Sequence, residues 1–96
     1  MPGVSRLGDQ CTGHGCFPPR PNDMASGNVY VNNIAAHRQS DHWMTHCCPG
    51  DGCHDSTLAA GSSTVYCNNL QLSRIGDPVA CGSTIAQGSG NVFAGG

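Results

Sequence analysis

Apolar residues in this chain come in short clusters, and none repeats with a helical period over a useful length. Val29-Tyr30-Val31 and Ile34-Ala35-Ala36 flank Asn32-Asn33. Val65-Tyr66-Cys67 and Leu70-Gln71-Leu72 flank Asn68-Asn69. Asn tolerates positive φ, which a two-residue hairpin turn requires. Each segment therefore predicts a short β-hairpin tipped by Asn-Asn. A run of small polar residues leads into each, Ser26-Gly27-Asn28 and Ser62-Ser63-Thr64, and an Arg follows nine positions after the first Val, at Arg38 and Arg74.

The lead-in and the Arg each occur three times. Ser89-Gly90-Asn91-Val92-Phe93 is the third lead-in. Each such Arg opens an Arg-x-x-Asp, at Arg6–Asp9, Arg38–Asp41 and Arg74–Asp77. The third hairpin is split: Val92-Phe93-Ala94-Gly95-Gly96 supplies its outgoing half and Gly3-Val4-Ser5-Arg6 its return. The ends of the chain should then lie side by side. The expected fold is all-β, a small conical pseudo-threefold body of short hairpins in a single domain over 1–96. In it, each Arg and Asp should tie a turn at the base of one lobe.

Composition adds to this picture. Charged residues make up 10% of the chain, against roughly 25% in ordinary soluble domains. There is no Lys and no Glu, while 14 Gly and 6 Pro favour turns. A formal net charge of −2 and the lack of a basic stripe exclude a nucleic-acid footprint. No apolar run approaches a membrane span of roughly 20 residues, and the first residues lack a charged-then-apolar leader pattern. The expectation is therefore synthesis and folding in the cytosol, where thiols stay reduced. Aromatics are limited to Phe17, Tyr30, Trp43, Tyr66 and Phe93, so a core this thin calls for a further constraint such as a metal.

Counting from each Asp finds candidate ligands. His14 stands five positions after Asp9, His46 five after Asp41, and Cys81 four after Asp77. Threefold symmetry would bring these three to one axis. Zinc takes four N and S ligands in a tetrahedron, so a fourth is needed. The middle repeat carries an insertion, Cys47-Cys48-Pro49-Gly50-Asp51-Gly52-Cys53-His54, which can fold over the axis. His54 is the preferred fourth ligand, with Cys53 and Cys48 as competitors. Such a His14/His46/His54/Cys81 set forms a closed structural centre, best suited to zinc, with iron as the alternative. His37 is expected to be structural, and His42 to be a rim residue or to support a ligand. Seven cysteines cannot all pair within one chain. The remaining thiols (Cys11, Cys16, Cys47, Cys48, Cys53, Cys67) are expected to be small buried apolar groups, with a Cys11–Cys16 bridge as the one disulfide considered. No cleft-forming mass or redox motif supports catalysis.

The repeated set resembles the PAAR-repeat family, named for a Pro-Ala-Ala-Arg segment followed by a Gly-Asp turn. The corresponding residues are Ile34-Ala35-Ala36-His37-Arg38, Leu70-Gln71-Leu72-Ser73-Arg74 and Pro2-Gly3-Val4-Ser5-Arg6, with Gly8-Asp9 and Gly76-Asp77. The family's Gly-Ser-x-x-Val-Phe strand is matched by Gly61–Tyr66 and Gly88–Phe93. Pro-Ala-Ala-Arg is never intact, Asn-Asn replaces Asn-Gly, and the middle turn reads Gln39-Ser40-Asp41 without Gly. These departures are similar to the short stand-alone tips of T-even-type phage tails. The resemblance implies a cone with one metal near its apex, bound by three His and one Cys. It also implies a monomer whose flat base sits on a trimeric β-helical spike, and an apex that meets the target outer membrane. The place implied is the tail baseplate of a virion, and the role a non-enzymatic piercing tip. A type VI secretion spike adaptor and a free zinc-binding module are the competing readings.

Overall fold

A computed structural model describes all residues, 1–96, of the chain. Its strands are β1 (Tyr30–Val31), β2 (Ile34–Ala35), β3 (His42–Cys48), β4 (Gly52–Thr57), β5 (Tyr66–Cys67) and β6 (Leu70–Gln71). They form three antiparallel hairpins, β1-β2, β3-β4 and β5-β6, and there is no helix. The body is elongated, 39 × 24 × 21 Å.

The hairpin tips are where the sequence places them. Asn32 and Asn33 have φ of 54° and 64°, and Asn68 and Asn69 have 53° and 66°. Both pairs thus have the successive positive φ that a tight hairpin with right-handed strand twist demands. The split third hairpin also closes. The Val4 amide donates to Val92 O at 2.9 Å and the Ala94 amide to Pro2 O at 3.2 Å.

Repetition extends to individual hydrogen bonds. The hydroxyls of Ser26, Ser62 and Ser89 each accept from the amide three residues on, at 2.9 Å in all three lobes. A head-to-tail ring joins the lobes at the axis: Ser5 N to Ser73 O, Ser73 N to His37 O, and His37 N to Ser5 O, at 3.1, 3.1 and 3.2 Å. Each Arg Nε donates to its own Asp at 2.9, 2.9 and 3.0 Å for Arg6, Arg38 and Arg74. Each Asp also accepts the backbone amide of that Arg, so the carboxylate closes the turn. The Arg then reaches a neighbouring lobe: Arg6 to Asn32 Oδ1, Arg38 to Asn68 Oδ1, and Arg74 to Gly95 O. The turns need positive φ at one position, met by Gly8 (87°) and Gly76 (92°) but by Ser40 (74°) in the middle lobe.

Two small cores lie along the body. Val4, Val31, Ala36, Cys67 and Ala94, with Leu72 against them, fill the threefold base. Cys11, Trp43, Leu58, Val79 and Ile85, with Cys81 against them, fill the part beneath the long hairpin. His37 is fully buried against the edge of Trp43, its ring Nδ1 donating to Met24 O at 2.7 Å, and burial holds its pKa below the ordinary value. It is a structural residue, as expected.

The cysteines differ from expectation. Cys11 and Cys67 are buried and free. Cys16 is bonded to Cys48, and Cys47 to Cys53. Cys16, Cys47 and Cys53 are exposed, so they are not small buried apolar groups. The pairing has a topological cause. Cys47 and Cys53 face each other across β3-β4, and the turn after His14 lays Cys16 against the end of β3. Cys11 is free and turned into the core, where its sulfur accepts from Arg20 at 3.0 Å.

Candidate metal centre

Three separate turns deliver the four candidate donors. His14 opens a tight turn closed in both directions, His14 N to Phe17 O at 3.0 Å and Phe17 N to His14 O at 2.9 Å. Gly13 makes the turn possible: its φ is +74°, and a side chain there would meet Phe17 O at 2.6 Å. His46 and His54 are opposite one another on β3 and β4. Register shifts between Trp43 and His46, so Trp43 points into the core while His46 still faces inward at the tip. Cys81 sits in the turn closed by Val79 N to Ser83 O at 2.8 Å, whose Gly82 has φ +115°.

These turns converge. The His14 and His46 Nε2 atoms are 3.2 Å apart, those of His14 and His54 3.0 Å, and those of His46 and His54 2.7 Å. Cys81 Sγ completes a group whose ligand atoms all lie within 4.8 Å of one another. A tetrahedral zinc with Zn–N near 2.05 Å separates its nitrogens by about 3.3 Å, close to the spacing seen. The tautomer also suits a ligand. His46 Nδ1 lies 2.8 Å from Pro18 O and must donate its proton there, leaving Nε2 as a lone pair turned into the cluster. Three imidazole nitrogens and a thiol form a donor set that fits zinc or iron. Cys48 and Cys53, the competitors for the fourth position, are held in disulfides outside this group.

Two residues with no role assigned from sequence support the cluster. Phe17 packs over it, with ring centroids 4.9, 5.0 and 4.3 Å from His14, His46 and His54. Arg20, buried, braces the apical part of the body. It donates to Met44 O at 2.7 Å, to Cys11 Sγ at 3.0 Å, to Ser83 Oγ at 3.3 Å and to Cys81 Sγ at 3.4 Å. Burial pushes the Cys81 thiol up. The Ser83 hydroxyl and amide together with the Arg20 guanidinium outweigh it and bring the thiol down to about 5. Cys81 is then a thiolate at neutral pH, the form that binds metal. No local signal marked either residue: Arg20-Pro21-Asn22-Asp23 reads as one more Arg-x-x-Asp, and Phe17 lies outside the hairpin repeats.

His42 stands away from the cluster. Its Nδ1 lies 2.6 Å from Asp23 and its Nε2 2.7 Å from Asp55, and donation to Asp55 first and to Asp23 second raises its pKa. It ties the loop before β1 to β4 at the rim and touches no candidate ligand.

The family model of the PAAR motif matches residues 22–87, more than half of the chain. The chain belongs to the PAAR-motif family. The match takes in His46, His54 and Cys81 and ends short of His14. The conical β fold of PAAR-motif proteins is the fold described above. These proteins are structural spike tips of phage tails or type VI secretion systems that cap VgrG-type spikes, and this PAAR-motif chain is accordingly a spike tip. Among curated proteins, none matches the chain.

Proposed function

We propose that this PAAR-motif chain is the membrane-piercing tip of a contractile phage tail, capping a trimeric β-helical spike and pinned at its apex by one zinc ion. His14, His46, His54 and Cys81 hold the metal. The observation that carries the reading is the convergence of three imidazole Nε2 atoms, mutually 2.7–3.2 Å apart, beside a thiol, at the tip of a threefold body. Four protein donors close the centre, so the metal is structural. The departures of the repeats from Pro-Ala-Ala-Arg and Asn-Gly support a phage member over a type VI adaptor.

The base supports the partner. Tyr30, Tyr66 and Phe93 occupy equivalent positions in the three lobes and are 61, 56 and 51% exposed. Val29, Val65 and Val92 repeat the pattern beside them, also partly exposed. An apolar patch repeated three times is suited to a partner with true threefold symmetry. Strand edges at the base can pair with strands of that partner. Sheath contraction would then press the narrow apex on the outer membrane.

Co-expression with a trimeric phage spike tests this reading. The expected product is one tip per three spike chains. Tyr30→Asp, Tyr66→Asp and Phe93→Asp together should abolish it. Retention of the complex by the triple variant, or capture by a type VI spike alone, would defeat the proposal.

A further inference from the structure

Five of the six Asp side chains have a cationic or imidazole partner: Asp9 with Arg6, Asp41 with Arg38, Asp77 with Arg74, and Asp23 and Asp55 with His42. Asp51 has none. It sits in the turn of the β3-β4 hairpin, where its amide donates to Cys48 O at 2.9 Å. Its Oδ2 instead faces two sulfurs, Cys16 Sγ at 3.5 Å and Cys48 Sγ at 3.6 Å. The three donor atoms lie within 4.8 Å of one another, in a group separate from the apical cluster. A disulfide offers a carboxylate neither a proton nor a positive charge. An unpaired anion set against this particular sulfur pair is thus unexplained while the sulfurs are bonded to each other.

The arrangement is explained if the two sulfurs are thiolates around a cation. We infer that, in the reduced protein, Cys16, Cys48 and Asp51 form a second metal site, and that the Cys16–Cys48 disulfide is the alternative, metal-free state of the same atoms. Two thiolates and one carboxylate suit a borderline-soft divalent ion, zinc foremost. Cys16 and Asp51 are exposed, so ions have access and water fills the remaining position. The apical centre, by contrast, is closed by four protein donors. The other pair, Cys47 and Cys53, has no third donor grouped with it and is not such a site.

The exchange between states balances with a small-molecule disulfide as oxidant. The two thiolates give two electrons, the Cys16–Cys48 bond forms, the bond of the small disulfide breaks into two thiolates, and the zinc leaves as the hydrated ion. Cys16 lies two residues after His14 and Cys48 two after His46, so either state ties the His14 turn to the long hairpin.

Zinc counting on the full chain tests this. Protein reduced under anaerobic conditions, loaded with zinc and freed of excess by gel filtration should hold two zinc per chain. After treatment with oxidised glutathione it should hold one. Cys16→Ser should hold one in both conditions, and Cys53→Ser two when reduced. Asp51→Asn removes only an exposed carboxylate and keeps the turn, so it stays informative if Cys16→Ser fails to fold. It should lose the second zinc at a chelator concentration that the wild type withstands. A single zinc in the reduced wild type that oxidation does not release overturns the proposal. So does a second zinc that survives oxidation, that persists in Cys16→Ser, that is lost in Cys53→Ser, or that Asp51→Asn holds as tightly as the wild type. Cys81→Ser separates this site from the apical one: it should remove one zinc and leave the redox-sensitive one. Two zinc in reduced Cys81→Ser would count against the apical centre while leaving the second site standing.

Discussion

At the base, three lobes repeat the same hydrogen bonds with nearly the same lengths, the Arg–Asp ties at 2.9–3.0 Å being one case. At the apex only the middle lobe has a long hairpin, β3-β4, with no counterpart in the other two. The base is held by backbone closure and a small apolar cluster. The larger apolar side chains, Trp43, Leu58 and Ile85, lie beneath the long hairpin, and the tip beyond them gathers imidazoles, thiols and two disulfides instead. Threefold repetition can build a platform with ordinary backbone chemistry. It cannot fill a narrowing point, because the volume left at the axis is too small for a core, and directed bonds to a metal or between sulfurs take over there.

The largest expected effect breaks the comparison outright. His46→Ala or Cys81→Ala should lose the apical metal, and chelation of the wild type should act alike. Structural zinc in small domains contributes about 10 kcal/mol or more at neutral pH, far more than any single tie at the base. Thermal unfolding followed with and without chelator measures this. An unchanged melting curve after complete metal removal would mean that the apex is held by its disulfides and packing alone.

A smaller effect tests the equivalence of the lobes. Asp9→Asn, Asp41→Asn and Asp77→Asn each remove a charge-assisted tie and should cost about 1–3 kcal/mol in denaturant unfolding. Asp41 should cost most, since its side chain is the most buried of the three and also approaches His37 at 4.0 Å. Costs differing several-fold would show that the symmetry is geometric but not energetic. Smaller again, Ser40→Gly should stabilise the protein by about 0.5–1 kcal/mol, because Ser40 holds a positive φ that glycine adopts freely. The reverse changes, Gly8→Ser and Gly76→Ser, should destabilise by a like amount.

The smallest effect is pH-dependent and lies at the rim. His42 has a raised pKa in the folded chain, so its bonds to Asp55 and Asp23 stabilise the fold fully below its ordinary value of 6.5. That contribution is lost as pH rises through the higher folded value. The stability gap between wild type and His42→Gln should therefore be widest in mild acid and close with rising pH. A gap that widens with pH would refute the assignment.

The lobes were legible in the sequence because hairpin tips, Ser lead-ins and Arg-x-x-Asp each carry a local chemical reason, and a reason repeated at fixed spacing is hard to mistake. Even the split hairpin could be read, from Val92-Phe93 and Gly3-Val4. The convergence of His14, His46 and Cys81 followed from their offsets within the repeats. His54 had no such offset, and it entered only through the geometry of the insertion. The disulfides, Phe17 and Arg20 were not legible. Cys16 and Cys48 are 32 residues apart, and only the packing of one irregular turn on the end of β3 makes them neighbours. Arg20 serves four partners from three segments, which no local pattern encodes.

The ring of Ser5, His37 and Ser73 joins three lobes of a single polypeptide. Were the lobes three identical subunits, any insertion in one would be present in all, and three copies of β3-β4 would collide at the axis. Linking the lobes in one gene frees each to diverge separately. One can then grow a cover while its siblings remain plain. The covalent chain thus licenses a lone off-symmetry element at the place where symmetry allows room for only one.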